Sequence, residues 1–306
     1  MAARDLMTGI GLTPKVSLAL PVHNGAAFID ECIASILRQT FADFELIVCD
    51  NASTDDTCAL VTKWCQMDPR VRLHRSSLNR GAAANFNWGF SLSRGQYFKW
   101  CAADDLLEPT FLSECVGALD ADPGAVLAYT GTIDIDEDGK VLGEIFDNNF
   151  PYAFGSEDPV RRFGDLVCHE HSCVTVFGVA RRRALEGTSL IAPFVGSDRL
   201  LLAELGLKGR FVRVPQNLFL HREHGGRSVK VHRRLQHRVS WFDPTLDRIV
   251  FPHFRLMWEY VRAAVRYSEG LRGRVRNVGR VLRWVYWYGW RSLLDDVTFY
   301  LPRRSG

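Results

Sequence analysis

Residues 16–24 read VSLALPVHN and residues 44–55 read FELIVCDNASTD, so that two apolar runs each end in a polar turn. Uninterrupted apolar runs of this length are typical of strands that are buried on both faces of a sheet. They predict one strand over Val16–Leu20, ended by Pro21, and a second strand over Phe44–Cys49. The segment between them has apolar residues at helical spacing, which predicts a connecting helix.

The alternation of strand and helix continues along the chain. Short apolar runs predict further strands at Val71–His74 and Gln96–Cys101, and a last strand of the domain at Gly209–Pro215. Strands separated by single helices form an α/β fold with a parallel sheet and helices on both faces. Such sheets bind ligands beyond the carboxyl ends of their strands, where this chain has three polar loops. These three loops therefore mark the predicted site.

The composition is that of an ordinary globular protein, with 306 residues of which 47% are hydrophobic and 24% charged. The N-terminus lacks the basic start and apolar core of a secretory signal, and no stretch reaches the roughly 18 apolar residues of a membrane span. Eight scattered cysteines fit a reducing compartment better than a disulfide framework. These features predict a cytoplasmic protein with one large domain and an appendage.

The net charge of +3 hides an asymmetry along the chain. Residues 226–306 contain 17 Lys and Arg against 6 Asp and Glu, a net charge of +11, which leaves the preceding residues at −8. This asymmetry, with the order of elements, predicts an N-terminal tail at 1–14, a domain at 15–225 and a basic, aromatic-rich helical region at 226–306.

The basic C-terminal region has two alternative interpretations. Arg276, Arg280 and Arg283 are spaced to share one helix face, and a second face collects Val278, Val281, Val285 and Tyr288. Such a helix is suited to an anionic membrane surface. It is equally suited to packing on the domain with its arginines in solvent. Nucleic acid is the weaker partner, because no recognised nucleic-acid motif accompanies the charge.

Four stretches resemble, in the expected order, the family 2 inverting glycosyltransferases. They are the runs at 16–24 and 44–55, Asn79-Arg80-Gly81 with Asn85, and GQYFKWCAADD at 95–105. The resemblance implies the GT-A fold, which is Rossmann-like with a mixed, mainly parallel sheet. It also implies transfer of a sugar from a nucleotide-diphosphate donor, with UDP- or dTDP-sugars favoured, to an acceptor hydroxyl. Cell-surface polysaccharide or glycolipid synthesis is the suggested process, with a glycan or lipid-linked acceptor at the inner face of the membrane.

The resemblance also implies which residues bind the donor. Pro21, Val22 and His23 would line the nucleobase pocket. Asp50 would accept a hydrogen bond from the base, the alternative being a turn residue that caps the next segment. Arg222 would bind a phosphate oxygen. The full predicted nucleotide-binding set is Pro21, Val22, His23, Asn24, Asp50, Asn51, Asn79, Gly81, Asn85, Asp104 and Arg222.

Asp104 and Asp105 fall where the family has its metal-binding Asp-x-Asp motif. The resemblance implies a divalent cation, Mn²⁺ or Mg²⁺, that neutralises the departing diphosphate. This chain departs from the pattern, because Ala102 occupies the position of the first aspartate. The predicted metal ligands are Asp104, Asp105 and His224. Asp104 is the expected direct ligand, Asp105 supports it or positions the donor, and His224 replaces the missing carboxylate, the alternative being a structural histidine. The alternatives are a solvated acidic turn and, for the whole chain, a binding or scaffolding protein that has lost catalysis.

An inverting transfer needs a general base that faces the acceptor hydroxyl. The candidate is Asp198, which precedes the apolar run Leu200-Leu201-Leu202 and resembles the family's acidic motif at the start of a helix. A purely structural alternative is that Asp198 or Ser197 caps this helix. Both roles are compatible with one another.

Two other site classes fit the sequence poorly. A nicotinamide-dependent enzyme should have Gly-x-Gly-x-x-Gly after its first strand, where this chain has PVHNGA. Residues 168–173, CHEHSC, are rich in zinc-ligand types but lack the usual second, separated pair of ligands. We interpret this segment, taken as a strand, as a wall on the acceptor side of the site.

Overall fold

A computed structural model describes residues 13–144, 153–169, 171, 173–231, 235–244 and 251–298. The predicted N-terminal tail therefore lies, except for its last two residues, outside the described residues. The strands are β1 Val16–Val22, β2 Phe44–Asp50, β3 Val71–Arg75, β4 Tyr97–Trp100, β5 Leu106–Leu107, β6 Ala125–Ile135, β7 Val141–Glu144, β8 Val179–Arg181 and β9 Arg210–Arg222. The first helices are α1 Ile29–Leu37, α2 Thr57–Met67, α3 Ala82–Leu92, α4 Phe111–Ala121, α5 Pro159–Cys168, α6 Arg182–Leu185 and α7 Ser197–Lys208. They are followed by α8 Ser228–Val231, α9 Leu235–Phe242, α10 Pro252–Tyr267, α11 Gly270–Trp284 and α12 Trp290–Thr298.

The strands form one mixed sheet in the order β3-β2-β1-β4-β8-β6-β9-β5, with β7 paired to β6. The strands β1, β2, β3, β4, β6 and β9 run in one direction, and β5, β7 and β8 run in the other. Apolar cores lie between the sheet and helices on its two faces. The predicted α/β class, with a mixed, mainly parallel sheet flanked by helices, is confirmed.

The first strand is longer than the sequence predicts. Pro21 does not end β1, which continues to Val22 beside Asp50 of β2. Ala19 and Pro21 point their backbone groups toward β4. The pairing of β1 with β4 ends at Ala19, whose carbonyl accepts from the N–H of Cys101, so β4 does not reach Pro21. The missing N–H of Pro21 therefore faces no partner strand and costs no hydrogen bond.

The last long strand also differs from the prediction. β9 is one strand that continues through Pro215 to Arg222, where the sequence predicted a strand ending at Pro215. Tyr129 of β6 pairs with Arg213 of β9, and Gly131 pairs with Asn217. Two steps along β6 thus match four along β9, and the residues around Pro215 bulge out of the ladder. A bulge leaves residues unpaired, which is where a proline fits inside a strand.

The C-terminal helices pack on the domain. Leu256 and Tyr260 of α10 and Val281 of α11 are buried in the core that also contains residues of α5 and α7. A Cβ on Gly164 of α5 would lie 3.0 Å from Arg280 Cδ, so the two helices approach closely at this glycine. The packing interpretation of the basic region is therefore confirmed for the inward face of these helices.

A buried carboxyl on α7 leads to a pH-dependent stability. Burial raises the pKa of Glu204, although the N–H and hydroxyl of Ser189 donate to its carboxylate at 2.7 and 2.9 Å. The folded chain thus retains the proton to higher pH than the unfolded chain, whose Glu pKa is about 4.3. The contribution of Glu204 to the free energy of unfolding is complete below that value and declines as pH rises through the folded pKa.

Glu204→Gln keeps the shape of the side chain and removes this titration. We expect the free energy of unfolding of the variant, relative to that of the unaltered protein, to rise between about pH 4 and about pH 7. Urea unfolding at the two pH values measures it. A difference that stays constant across this range would contradict the buried, raised-pKa carboxyl.

Candidate active site

The loops after β1 and β2 are joined by hydrogen bonds. The N–H of Asn24 donates to Ser53 Oγ at 2.8 Å, and the N–H of Thr54 donates to Asn24 Oδ1 at 2.8 Å. Asn24 has φ +54°, a left-handed conformation that asparagine tolerates better than most residues. Next to it, Pro21 and Val22 are buried and His23 is exposed. Two predicted nucleobase loops thus form one surface.

Asp50 lies at this edge but faces inward. It has no accessible surface, and both its carboxylate oxygens accept from the N–H of Ser53 at 3.3 Å. This is the turn-capping alternative that the sequence left open. A contact between Asp50 and a nucleobase stays a prediction, and it requires the Ser53 turn to shift.

A network of asparagines joins the loop before α3 to β2. Asn51 Nδ2 donates to Asn79 Oδ1 at 2.8 Å, and Asn79 Oδ1 also accepts from the N–H of Gly81 at 2.9 Å. Gly81 has φ +83°, and a Cβ there would lie 2.5 Å from the carbonyl oxygen of Phe242, so only glycine fits. The structure therefore brings these three predicted residues together.

Asn85, at the start of α3, holds the ends of β1 and β2 in place. Its Nδ2 donates to the carbonyl of Cys49 at 2.9 Å and to that of Val22 at 3.4 Å. Its Oδ1 is buried without a hydrogen-bond partner among the described residues. A buried amide oxygen of this kind is costly unless a donor reaches it, so it is suited to receive one.

The loop after β4 contacts the loop after β1 and the helix α1 that follows that loop. Cys32 Sγ donates to the carbonyl of Ala102 at 3.3 Å, and a Cβ on Gly25 would lie 3.5 Å from Ala103 Cβ. The resemblance predicted this edge to hold the metal motif. All the polar loops considered so far therefore adjoin one another at the carboxyl ends of the strands.

Asp104 and His224 meet although they lie 120 residues apart. His224 Nε2 is 3.0 Å from Asp104 Oδ2, and the imidazole ring lies 4.7 Å from the Phe28 ring. The side chain of Asp104 keeps 31% of its surface accessible, and that of His224 keeps 12%. One carboxylate oxygen and one imidazole nitrogen thus lie together on partly accessible side chains at this edge of the sheet.

Asp105 faces away from this pair. It is buried, and its Oδ1 accepts from the backbone N–H of Arg222 at 2.9 Å. Burial, and then the charge of Asp104, raise the pKa of Asp105 well above its usual range. Asp105 therefore fixes the loop to β9, in keeping with the supporting role expected for it.

Arg222 is also enclosed. Its side chain has no accessible surface, and its guanidinium donates to Glu31 Oε2 at 2.6 Å and to the carbonyls of Asp104 and Glu137 at 3.0 and 2.6 Å. It also stacks 4.8 Å from the Phe28 ring. A bond from Arg222 to a phosphate, as the resemblance implied, would require some of these contacts to break.

Asp198 is the second residue of α7, and its carboxylate is half-buried. Its Oδ1 accepts from the N–H of Arg199, in the first turn, at 2.8 Å, and the residue that precedes the helix, Gly196, has no side chain to cap it. The hydroxyl of Ser197 is buried without a partner among the described residues. Ser197 therefore does not cap the helix, whereas Asp198 accepts from a first-turn N–H, so both interpretations of Asp198 stay open.

The course of α7 places Asp198 toward the same edge of the sheet. α7 leads directly into β9. The first residue of β9 pairs with Ala125, the first residue of β6, so α7 ends at the edge of the sheet opposite the carboxyl ends of these strands. A helix of 12 residues spans about 18 Å, so its first turn lies toward the carboxyl ends of the strands. Asn87 Nδ2 donates to the carbonyl of Ile191 at 2.9 Å and joins the preceding loop to α3.

The segment at 168–173 is not a strand, contrary to the prediction. Cys168 ends α5, and residues 174–177 form a 3-10 turn, with residues 170 and 172 outside the described set. Arg199 donates to the carbonyl of His171 at 2.8 Å, so the segment borders the start of α7. This position adjoins Asp198, as a wall on the acceptor side would.

Sequence reasoning missed a second group of potential metal ligands. Asp134, His221 and Glu223 have ligand atoms within 4.8 Å of one another. Register brings Asp134 of β6 opposite His221 of β9, which no sequence signal indicates. Arg227 and Lys230 both pair with Glu223, and burial lowers the pKa of His221. These cations already balance the carboxylates, so Asp104 and His224 are the better candidates.

Within the described residues, no helix combines the length and the apolar character needed to cross a bilayer.

Comparison with known proteins relates the chain to glycosyltransferases. The model of the family "Glycosyl transferase family 2" matches residues 17–186. Chondroitin synthase of Escherichia coli is 29% identical over 212 residues, which are 69% of this chain and 29% of that protein. Hyaluronan synthase of Pasteurella multocida is 33% identical over 133 residues, 44% of this chain and 14% of that protein. The chain thus spans less than a third of either relative.

Solved structures show the same fold. TarS 1-349 of S. aureus, in complex with UDP-GlcNAc, has a TM-score of 0.65 at 15% sequence identity. The match covers 90% of this chain and 73% of the TarS chain. Mannosyltransferase PcManGT from Pyrobaculum calidifontis, in complex with GDP-Man and Mn²⁺, has a TM-score of 0.51 at 17% sequence identity. This match covers 96% of this chain and 89% of the mannosyltransferase chain. At these identities the likeness concerns the fold alone, and it confirms the GT-A architecture. Since the family model matches more than half of the chain, the chain belongs to glycosyl transferase family 2.

Proposed function

We propose that the chain is a metal-dependent, inverting glycosyltransferase. It transfers a sugar from a nucleotide-diphosphate donor, with a UDP- or dTDP-sugar favoured, to the hydroxyl of a glycan or lipid-linked acceptor. The observation that carries the proposal is the contact of 3.0 Å between Asp104 Oδ2 and His224 Nε2 at the carboxyl edge of the sheet.

Asp104 and His224 fit a divalent cation. A partly accessible carboxylate beside an imidazole nitrogen is a donor set that Mn²⁺ accepts, while Mg²⁺ prefers oxygen. The two side chains would hold the ion, and the donor diphosphate would complete its coordination. When bound, the ion supplies positive charge to the departing nucleotide diphosphate. Ala102 removes one usual ligand, and His224 stands in for it.

Asp105 and Arg222 keep the ligands in place. The predicted metal ligation by Asp105 and phosphate binding by Arg222 are revised in this proposal, because both side chains are buried and bonded to protein groups. Asp105 holds the backbone of Arg222, and Arg222 holds the carbonyl of Asp104. Together they fix the Asp104 loop against β9.

Asp198 takes the proton of the acceptor hydroxyl as its oxygen attacks the sugar from the face opposite the diphosphate. This geometry inverts the anomeric carbon. Asp198 suits the role because its side chain is half-buried in the first turn of α7, where the N–H of Arg199 orients its carboxylate. A positioned base of this kind typically contributes about 10²- to 10⁴-fold.

The nucleobase would lie on the joined loops after β1 and β2. His23, Asn24 and Asn79 are exposed there, and Asn85 offers its unpaired amide oxygen. Solved neighbours in complex with UDP-GlcNAc and with GDP-Man support a nucleotide-sugar donor. The names of the polymer synthases among the relatives support a role in polysaccharide synthesis. Peripheral attachment to the inner face of a membrane would bring the transfer to lipid-linked acceptors.

Isothermal titration of the protein with UDP, with and without Mn²⁺, tests the proposal. We expect binding that Mn²⁺ strengthens, followed by slow hydrolysis of one member of a panel of UDP- and dTDP-sugars. The scaffolding alternative predicts no donor turnover with any member. Absence of both nucleotide binding and turnover would contradict the proposal.

A further inference from the structure

The helices at the C-terminus have an outward apolar face. α11, the π-helical turn at 285–289 and α12 follow one another without a break from Gly270 to Thr298. A continuous helix of this length spans about 40 Å. Seven of its exposed apolar residues recur at spacings of three, four or seven, and we call these seven the apolar stripe: Leu271, Val275, Leu282, Tyr286, Trp290, Leu294 and Val297.

The stripe is exposed although the helix has another apolar face against the domain. Leu271 and Tyr286 have 77% and 73% of their surface accessible, whereas Val281 is buried between α11 and the core. Large exposed apolar patches that polar residues border usually mark surfaces for protein or membrane contact. The described residues therefore contain a surface that is built to be covered.

The π-helical turn keeps the stripe on one side of the helix. Successive steps of four residues drift around an α-helix, because a turn has 3.6 residues. The wider turn at 285–289 offsets this drift between Tyr286 and Trp290. Gly289 makes the turn possible, since a Cβ there would lie 2.9 Å from the Trp284 ring. Tyr286, Trp287 and Tyr288 then project outward.

Arginines flank the stripe. The segment 270–298 contains six arginines and two aspartates, and Arg272, Arg283 and Arg291 are exposed. One of the two aspartates, Asp296, is buried and accepts from the N–H groups of His253 and Phe254, so it adds little charge to the outer surface. The outward face is thus apolar and aromatic at its centre and cationic at its side.

We propose that the apolar stripe lies flat on an anionic lipid surface. Tryptophan and tyrosine favour the boundary between headgroups and acyl chains, and each arginine near an anionic surface adds about fivefold to binding. A second copy of this chain is disfavoured, because an isologous contact through the stripe would set arginines against arginines. The proposal deepens the peripheral attachment proposed above by naming the surface that makes it, and it does not rest on the transfer reaction. Its failure would remove that attachment and leave the proposed sugar transfer untouched.

Vesicle sedimentation with the full chain tests this inference. We expect binding to phosphatidylcholine vesicles that contain phosphatidylglycerol, and much weaker binding to phosphatidylcholine alone. Leu282→Ser with Tyr286→Ser should weaken binding about tenfold or more, because two apolar anchors are lost. Arg283→Gln with Arg291→Gln should weaken it about 25-fold on anionic vesicles alone. The matched control is Met67→Ser with Leu142→Ser, which removes exposed apolar residues elsewhere and should bind normally.

Circular dichroism and sedimentation velocity of every variant complete the test. Absence of vesicle binding by the unaltered protein would overturn the proposal, as would equal losses in the control pair. A dimer that Leu282→Ser with Tyr286→Ser converts to a monomer, without vesicle binding, would instead assign the stripe to contact between copies of the chain.

Discussion

Asp198→Asn is expected to lower kcat by about 10²- to 10⁴-fold while the dissociation constant of the donor stays unchanged. The substitution preserves the size of the side chain and the hydrogen bond from the N–H of Arg199. It removes the ability to accept the acceptor proton. Because the amide oxygen of asparagine can accept from the same N–H, the stability of α7 should change little. Initial rates with a nucleotide sugar, together with donor titration, separate the two effects.

Asp43→Asn is the matched control for this loss. Asp43 is an exposed carboxylate before β2, at the edge of the sheet opposite the site. Its substitution removes one negative charge and should leave turnover intact. Equal turnover of Asp198→Asn and the unaltered protein would remove Asp198 as the base, whereas loss of donor binding in Asp198→Asn would indicate a role on the donor side.

Asp104→Ala should weaken Mn²⁺-dependent donor binding by about 100-fold or more. Loss of a residue that only hydrogen-bonds to a metal ligand typically costs about 10- to 100-fold, so a larger loss indicates a direct ligand. His224→Ala should have an effect of the same kind, because its Nε2 and Asp104 Oδ2 converge on one point. The double variant should lose little more than either single variant, since one ion accounts for both losses. Titrations without Mn²⁺ should show only small differences among the three.

Asp134→Ala is the control, because it removes a carboxylate from the rival group of ligands and leaves Asp104 unchanged. Normal Mn²⁺-dependent binding is expected for this variant. Loss of binding in Asp134→Ala but not in Asp104→Ala would move the metal to the group that contains His221. Additive losses in the Asp104 and His224 double variant would contradict a shared ion.

The fold was predictable where local pattern determines structure. All seven residues of β1 and of β2 are buried, so their apolar runs carried enough information. The continuity of β9 was not predictable, because a bulge against β6 lets the strand pass Pro215. Register between distant strands leaves no local signal in a single sequence, and only pairing reveals it.

The site was predictable only as a set of residues. Asp104 and His224 came from the resemblance, and the structure brings them into contact. The enclosure of Arg222 by Glu31 and the carbonyls of distant loops depends on contacts between segments up to 191 residues apart. A lone arginine beside a polar loop looks the same in sequence whether it binds phosphate or supports the loop. The inward turn of Asp50 was hidden for the same reason.

Anomalous diffraction at the manganese edge, from crystals grown with Mn²⁺ and UDP, tests the account most directly. The account predicts one manganese peak within coordination distance of both Asp104 Oδ2 and His224 Nε2, with the pyrimidine ring on the loops that Asn24 joins. A manganese peak among Asp134, His221 and Glu223, or a nucleotide bound away from the carboxyl ends of β1 and β2, would contradict it.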